Sequence, residues 1–440
     1  MGQAQFTFTT NNGAITIKGY SGSGGAVVIP STINGYPVTG IGTNAFMFVN
    51  TLTSITIPTN ITSIGDEAFF QCSKLPTVMI PGSVTNIGHS VFGYCTKLAS
   101  VTINNSVTSI GIDTFQNCTS LTNITIPNSV TNIGDNTFVN CTNLTSVAIP
   151  NSVTRIGNYA FQYSGLTAVT IPNSVTDIGD EAFGNCGLTN VMIPISVTNI
   201  GIFPCDGCTY LTAITVNTTN PAYCSVAGVL FNKSQTMLVE YPGGLVGNYT
   251  ISNCVTSIGV GAFADCPGLT SVIISNSVTN IEVAAFYSCG LTNVTIPDTV
   301  TSVGIDTFTD CTNLTSVTIP GSVTDIGSFA FYGCSRLSSI TIPNSVTNIE
   351  DAGFAYCTSL TNIYFLGNAS SLGASVFSHD SVATVYYIPG TTGWGATFGG
   401  LPTALWFLPN PLILNNSPSF GVQSNRFSFI ISWATKEALI

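Results

Sequence analysis

The 440-residue sequence has few charged side chains. Only 6% of its residues are Asp, Glu, Lys or Arg, whereas soluble proteins average about 25%. The eight Lys and Arg residues form no cluster, and the net charge is −11. Nucleic acids and anionic membranes are therefore not expected as partners, because binding their phosphates needs a positively charged surface. Disorder is also excluded, since disordered chains are highly charged and weakly hydrophobic, and this chain is 44% hydrophobic.

Long apolar runs are absent as well. A membrane-spanning helix needs about 20 consecutive apolar residues, and no stretch of this sequence approaches that length. The first six residues, MGQAQF, contain neither the basic nor the apolar segment of a signal peptide. We therefore predict no membrane span. We interpret residues 1–6 as the N-terminus of a mature protein with a start Met attached.

What the sequence does contain is a phenylalanine that recurs every 22 or 23 residues. The length alone would suggest two or three domains, but a regular repeat of this period predicts a solenoid, which grows by adding units. We name the recurring position the Phe slot. Its fourteen occupants are Phe46, Phe69, Phe92, Phe115, Phe138, Phe161, Phe183, Cys205, Phe263, Phe286, Phe308, Phe331, Phe354 and Phe377.

One repeat, residues 121–141 (LTNITIPNSVTNIGDNTFVNC), shows what the pattern predicts. Isoleucines on both sides of Thr125 alternate with it, as in a half-buried strand. A second short extended segment follows and ends at Gly134. Asp135 lies three residues before Phe138, where it is suited to cap a short helical or 3-10 turn. A single repeat has too little apolar surface to fold, so we expect stacked repeats to share one core.

This pattern resembles the leucine-rich repeat, specifically its BspA-like subclass, and residues 314–334 (LTSVTIPGSVTDIGSFAFYGC) look like a model copy. The resemblance covers about residues 35–386. The stretch NPAYCSVAGVLFNKSQTMLVEYP also resembles an insert common in such chains. The resemblance implies a right-handed, curved solenoid, mainly β with short helical or 3-10 turns, and with a parallel sheet along one face. It also implies a bacterial protein that is secreted or displayed on the cell surface, with a signal peptide absent from this sequence.

The repeat boundaries predict how the chain is divided. Residues 1–34 alternate like strands and are expected to cap the first repeat, while residues 216–250 interrupt the repeat and are interpreted as a hairpin insert. The full prediction is an N-terminal β cap at 1–34, a first repeat block at 35–215, the insert at 216–250, a second block at 251–386, a C-terminal cap at 387–408, and a linker or truncated tail at 409–440.

Cysteines recur in phase with the repeat, three residues after the Phe slot. Because Val49, Ser164 and Asp380 take the same position in three repeats, we interpret the position as a place for a small buried side chain. We name it the Cys column and predict a structural role for its members, which are Cys72, Cys95, Cys118, Cys141, Cys186, Cys208, Cys266, Cys289, Cys311, Cys334 and Cys357.

Fourteen cysteines in a secreted protein could also form disulfides. Pairing within the Cys column would distort the column itself. The three cysteines outside it, Cys205, Cys224 and Cys254, are therefore the better candidates for a bridge, and the sequence leaves that pairing open. The single CxxC, from Cys205 to Cys208, is a weak zinc signal because both of its cysteines fall on repeat positions.

No constellation typical of catalysis is present. Of the two histidines, His89 and His379, neither has a neighbour in the repeat that would complete a Ser-His-Asp or Cys-His arrangement. The carboxylates before the Phe slot are explained by capping, and the glycine-and-aspartate nonapeptide of repeated calcium sites is missing. We therefore predict no enzyme, no catalytic residue, no cofactor and no metal site.

Two columns of side chains are predicted to point outward. The second-strand column is an unbroken row of Thr, from Thr39 and Thr62 to Thr324 and Thr347, which fits the preference of Thr for exposed strand positions. The first-strand column is more varied and contains apolar residues, as a binding face would. One repeat has Ala148 at this position. The candidate binding face comprises Thr56, Met79, Thr102, Thr125, Thr170, Met192, Thr215, Ile273, Thr295, Thr318, Thr341 and Tyr364.

Three functions follow as hypotheses. The resemblance implies adhesion, so the leading one is recognition of an extracellular protein or surface ligand through the solenoid face. A glycan-binding module is the second, because rows of Asn and Thr supply hydrogen bonds, although few aromatic residues are predicted on the exposed face. An ice-binding or purely structural surface protein is the third, because evenly spaced Thr rows could order water. The sequence does not identify the ligand or the oligomeric state.

Overall fold

In the computed structural model the chain forms a β-solenoid of about sixteen turns, which confirms the predicted fold class. The structure describes residues 5–406 and the strand segments 412–413, 421–423, 426–428 and 431–432. These residues divide into two compact units: residues up to 246 together with 258–268, and residues 247–257 together with those from 269 onward. Within the described part of the chain, no helix is long and apolar enough to cross a membrane.

Short strands alternate with turns throughout both units. Up to residue 246 the strands are β1 Phe6–Asn11, β2 Ala14–Tyr20, β3 Gly25–Val28, β4 Thr32–Ile33, β5 Tyr36–Ile41, β6 Leu52–Thr56, β7 Ser63–Ile64, β8 Thr77–Ile80, β9 Asn86–Ile87, β10 Ser100–Ile103, β11 Ser109–Ile110, β12 Asn123–Thr125, β13 Asn132–Ile133, β14 Arg155–Ile156, β15 Asp177–Ile178, β16 Asn190–Ile193, β17 Asn199–Ile200, β18 Ala213–Val216, β19 Tyr223–Val226, β20 Val229–Asn232 and β21 Met237–Glu240.

The remaining strands are β22 Gly247–Thr250, β23 Ser257–Ile258, β24 Leu269–Ile273, β25 Asn280–Ile281, β26 Asn293–Thr295, β27 Ser302–Val303, β28 Ser316–Thr318, β29 Asp325–Ile326, β30 Ser339–Ile342, β31 Asn348–Ile349, β32 Asn362–Phe365, β33 Ser371–Leu372, β34 Thr384–Tyr387, β35 Thr397–Phe398, β36 Leu401–Leu405, β37 Leu412–Ile413, β38 Gly421–Gln423, β39 Arg426–Ser428 and β40 Ile431–Ser432.

Equivalent strands of successive repeats pair in parallel and in register. In the first unit Val101 of β10 lies between Val78 of β8 and Ile124 of β12. In the second unit β30, β32 and β34 pair in the same way. Because side chains alternate between the two faces of a strand, the Val and Ile positions of each repeat are buried or partly buried, and the residue between them is more exposed.

The Phe slots form the centre of the core. From Phe46 to Phe183 the rings are fully buried and stacked, with centroids 5.0–5.7 Å apart and planes within 15° of parallel. In the second unit the rings from Phe286 to Phe377 stack similarly, at 5.1–5.9 Å. These separations lie in the range where aromatic pairs attract, so neighbouring repeats are coupled through one row of rings.

The segment around each Phe slot is not helical, which corrects the predicted helical or 3-10 turn. The residues two before and two after the slot have positive φ, as at Asn136 (55°) and Asn140 (60°) on either side of Phe138. The Asn136, Phe138 and Asn140 N–H groups donate to carbonyls of the next repeat instead of to a helix of their own. Left-handed residues at two positions break a right-handed helix, so each turn adds another ladder of hydrogen bonds between repeats.

A further ring slot occurs inside the stretch predicted as an insert. Strands β19, β20 and β21 form an antiparallel hairpin arrangement there, and Tyr241 follows it. The Tyr241 N–H donates to Ala262 O, as slot residues do elsewhere, and its ring lies 5.1 Å from that of Phe263. Tyr241 is therefore the core ring of a repeat that the sequence pattern concealed, because the hairpin separates it from the preceding slot.

Cys205 occupies its ring slot without filling it. A small apolar cavity lined by Ile178, Phe183 and Leu230, among others, remains beside it. The Cys205 N–H donates to the buried carboxyl group of Glu240 (3.1 Å). Burial raises the pKa of Glu240 well above its ordinary value, and the nearby Asp206 raises it further. A side chain thus replaces the backbone carbonyl that other slot residues bond.

The two ends of the described chain are closed by aromatic residues. Tyr20 stacks on Phe46 with ring centroids 5.2 Å apart. In the second unit Trp394 and Phe398 pack against Phe365 at 5.1 and 5.4 Å. The predicted tail at 409–440 lies outside the described residues apart from β37 to β40, and the proposed domain boundaries stay predictions.

Candidate binding surfaces

The first-strand column of the first unit is open to solvent. Its slot points away from the core because the residues on either side are Val or Ile that face the core of the same unit, buried or partly buried. Met79 is 66% exposed and Met192 is 58% exposed, which is unusual for unbranched apolar side chains. The Thr members of the column in this unit are exposed as well, at Thr56, Thr102, Thr125, Thr170 and Thr215.

The second unit presents the same column less uniformly. Ile273 is 62% exposed, and Thr295, Thr318 and Thr341 are also exposed. Tyr364 is half-buried, because its ring packs against another tyrosine and a tryptophan.

Tyr386 lies beside Tyr364 in the register of β32 and β34. The two rings stack with centroids 5.2 Å apart, and the Trp406 ring lies 4.5 Å from that of Tyr364. Sequence reasoning assigned Tyr386 and Trp406 to the end of the repeats and missed this cluster. The repeat spacing from Tyr364 to Tyr386, 22 residues, was the signal that could have located it.

The two columns differ in how their Thr hydroxyls are hydrogen-bonded. In the second-strand column most hydroxyls donate to the carbonyl of the Thr one repeat earlier, for example from Thr154 to Thr131 O (3.1 Å) and from Thr324 to Thr301 O (3.3 Å). In the first-strand column Thr215 donates to Val191 O (3.3 Å). For its other Thr members, no hydrogen bond within the described residues involves the hydroxyl. The first-strand hydroxyls are therefore available to a ligand, whereas most second-strand hydroxyls hold repeats together.

The Cys column is buried and bonded to the backbone. Nine of the eleven Sγ atoms donate to the carbonyl of the Phe slot one repeat earlier, as from Cys118 to Phe92 O (3.1 Å) and from Cys334 to Phe308 O (3.2 Å). The Cys266 Sγ donates to Tyr241 O (3.6 Å). Burial raises the pKa of Cys72 and Cys141 to about 12. These thiols stay protonated at neutral pH, so they can donate hydrogen bonds but are poor nucleophiles.

The three cysteines outside the column are free thiols too, so the disulfide left open by the sequence is not formed. Cys205 is buried in its ring slot. Cys224, on β19, is half-buried, with its Sγ 3.3 Å from Asn232 O. Cys254 is exposed. Their different environments predict very different reactivities.

We expect only two of the fourteen cysteines to react with Ellman's reagent in the native protein. Cys254 should react first and Cys224 more slowly, because burial raises the pKa of the Cys224 thiol. The twelve buried thiols should react only after denaturation. Counting released thiolate with and without guanidinium tests this, and a Cys254→Ser variant should lose the fast phase alone. Rapid reaction of more than two thiols in the folded protein would contradict the described burial.

The carboxylates three residues before the Phe slot bind the next repeat instead of capping their own turn. Asp135 Oδ1 accepts from Asn158 N–H (2.9 Å), and Asp66 Oδ1 accepts from His89 N–H (2.8 Å). The His89 Nδ1 in turn accepts from Ile112 N–H (3.2 Å). This corrects the capping interpretation. Among the residues that the structure describes, no group of His, Cys, Asp or Glu side chains could hold a metal ion.

Comparison with known proteins relates this chain to leucine-rich repeat proteins. A family model described as BspA type Leucine rich repeat region, with six copies, matches residues 39–167, 131–235, 244–311 and 279–396. The chain is similar to a leucine-rich cell surface protein from Faecalibacterium prausnitzii, at 32% identity over 84% of this chain and 95% of that one, with a TM-score of 0.67.

A leucine-rich repeat protein from Bacteroides ovatus is also similar, at 25% identity over 92% of this chain and 99% of that one, with a TM-score of 0.53. No curated protein sequence matches significantly.

Proposed function

The chain belongs to the BspA type leucine-rich repeat family, and on that premise we propose that it is a non-enzymatic binding protein of the bacterial cell surface. Its ligand is an extracellular protein, which it recognises through the first-strand column. The similar Faecalibacterium protein is named as a cell surface protein, which supports this location.

The observation that carries the proposal is the composition of the first-strand column. Exposed Met79 and Met192 lie in a row of Thr residues whose hydroxyls are mostly unused within the described residues. Met is flexible and polarisable, so it adapts to partner surfaces, and apolar contacts rimmed by polar groups are typical of protein interfaces. The column slots of this unit carry no charged residue that would have to be desolvated.

The alternatives receive less support from the same geometry. Most hydroxyls of the second-strand column donate to backbone carbonyls, so they are not free donors for a sugar or for ordered water. The Tyr364 ring, the one aromatic ring predicted on the face, stacks on Tyr386 and contacts the tilted ring of Trp406. The ring is half-buried by these contacts, which leaves less of it accessible for stacking on a sugar.

Charge insertion tests the proposed face. We expect Met79→Asp with Met192→Asp to weaken binding to a captured extracellular protein by about tenfold or more, because truncating or charging central apolar contacts costs at least 1–2 kcal/mol. Binding of purified extracellular proteins to the immobilised chain would be measured by biolayer interferometry.

The matched control is Ile195→Asp with Tyr210→Asp, which changes two exposed apolar residues outside the column. Equal losses in the two double variants would argue against the column. So would wild-type binding by the Met79 and Met192 variant.

A further inference from the structure

A second exposed surface lies on the turns of the second unit. Four rings follow one another there: Phe329, Tyr332, Tyr356 and His379, with centroids 5.7, 5.1 and 4.0 Å apart. Phe329 and Tyr356 are each 40% exposed, and His379 is exposed as well. We name this row the aromatic strip. It belongs to neither strand column, and the repeat pattern alone gave no reason to single it out.

The fold does not require aromatic residues at these positions. Phe329, Tyr356 and His379 all have positive φ, at 57°, 61° and 70°, where bulky side chains are rare. In the first unit the same turn positions hold Asn136 and Asn140, which tolerate this conformation better, but also rings such as Phe48 and Tyr94. Because other repeats form with Asn at these positions, the rings of the strip are not needed for the turn and can serve a partner; what distinguishes this row is its neighbouring carboxylates.

Two carboxylates adjoin the strip. Asp306 and Asp310 lie at the corresponding turn positions one repeat earlier, and their N–H groups donate to Ser328 O (3.0 Å) and Tyr332 O (2.8 Å). The Asp310 side chain lies over Gly333, so closely that a Cβ there would be 2.2 Å from its Oδ1. Partial burial raises the pKa of Asp310, and the charge of Asp306 adds to this effect.

No cation balances this pair within the part of the chain that the structure describes, where the single ion pair joins Arg155 to Asp135 in the other unit. A positively charged group placed over the strip would meet ring faces or edges and two carboxylates together. Cations are attracted to aromatic rings, and an uncompensated negative field attracts cationic partners over a distance. An anionic partner would be repelled by the same groups.

We infer that the aromatic strip, with Asp306 and Asp310, is a docking surface for a cationic protein segment that presents Lys or Arg side chains. The overall balance of the chain agrees, since eight basic residues and a net charge of −11 make basic partners the favoured class. This inference goes beyond the first-strand column and does not depend on it.

Substitutions that the repeat already tolerates allow a clean test. Gln116 and Gln162 occupy the position of Tyr332 in other repeats, and Asn117 and Asn140 occupy that of Tyr356. The ring variant is therefore Tyr332→Gln with Tyr356→Asn, and the charge variant is Asp306→Asn with Asp310→Asn. The control is Tyr163→Asn, which removes an exposed ring from the same turn position in the first unit.

The probe is a fluorescent octapeptide of alternating Arg and Gly, compared with a peptide in which citrulline replaces Arg. We expect the Arg peptide to bind the full chain, and each double variant to bind about tenfold more weakly, a factor that corresponds to about 1.4 kcal/mol. The citrulline peptide should bind the wild-type chain at least about tenfold more weakly than the Arg peptide does. The control variant should bind the Arg peptide as tightly as the wild type.

Fluorescence anisotropy at low and high salt measures these affinities, with binding expected to fall as salt screens the carboxylates. The inference is overturned if the Arg peptide does not bind the wild type, if citrulline binds equally well, or if Tyr163→Asn weakens binding as much as the ring variant. The Met79 and Met192 experiment alters a different surface and measures binding of a different partner, so the two proposals can fail separately.

Discussion

Replacing Phe138 by Ala is expected to lower the free energy of unfolding of the first unit by about 3–5 kcal/mol. The Phe138 ring is fully buried, and its neighbours Phe115 and Phe161 lie 5.5 and 5.2 Å away. Truncation removes the transfer free energy of the ring and leaves a cavity in the row. Both aromatic contacts are lost as well.

The loss should be felt beyond one repeat. In a solenoid each repeat contacts only its neighbours, so stability is a sum of repeat and interface contributions. Removing Phe138 weakens two interfaces at once, and the unfolding transition should broaden as the unit begins to unfold on either side of the cavity. Urea denaturation followed by circular dichroism gives both the free energy and the steepness of the transition.

Two variants make the comparison specific. Phe138→Leu keeps most of the buried area and should cost less than Phe138→Ala. Thr125→Ala changes an exposed residue one strand away and should be close to neutral. An Ala variant as stable as the wild type would show that the ring row does not couple the repeats.

Stability should also depend on pH through Asp380. This residue occupies the Cys column position of the last Phe-slot repeat, is 1% exposed, and neither of its carboxyl oxygens has a hydrogen bond of normal geometry. Burial raises its pKa from 3.8 to about 7, against a smaller lowering by the Cys357 backbone. At this position other repeats place a thiol that donates to a carbonyl, which an ionised carboxylate cannot do.

The sign follows from the raised pKa. Asp380 binds its proton more tightly in the folded state, so its favourable contribution is complete below the unfolded pKa and is lost as pH rises through about 7. A difference of about three pKa units sets an upper limit of about 4 kcal/mol. The second unit should therefore become less stable between about pH 4 and pH 7.

Asp380→Cys restores the column and should stabilise the second unit at pH 8, with a smaller gain at pH 5. Asp380→Asn serves as the control, because it removes the titrating group without restoring the thiol, and its stability should depend less on pH. Urea denaturation of the three proteins at pH 5, 6, 7 and 8 measures the differences. Parallel pH profiles for wild type and Asp380→Asn would rule out this residue as the cause.

The sequence by itself determined the repeat and its phase. The 22- or 23-residue spacing of Phe predicted the solenoid, the buried ring row and the outward position of Met79 and Met192, and the structure has all three. These features are predictable because they rest on periodicity, which a single residue does not disturb. The location of Cys118 and its equivalents in one buried column followed from the same spacing.

Other features were decided by tertiary contacts. Positive φ at residues such as Asn136 replaced the predicted helical turn, because their N–H groups bond the next repeat and not their own segment. Tyr241 proved to be a core ring only once the hairpin before it was folded. The Thr residues of the two columns look alike in sequence, and only the neighbouring carbonyls show which hydroxyls are already used. The aromatic strip likewise exists only because stacking of the repeats brings Tyr332, Tyr356 and His379, which are distant in sequence, into a row where each ring contacts the next.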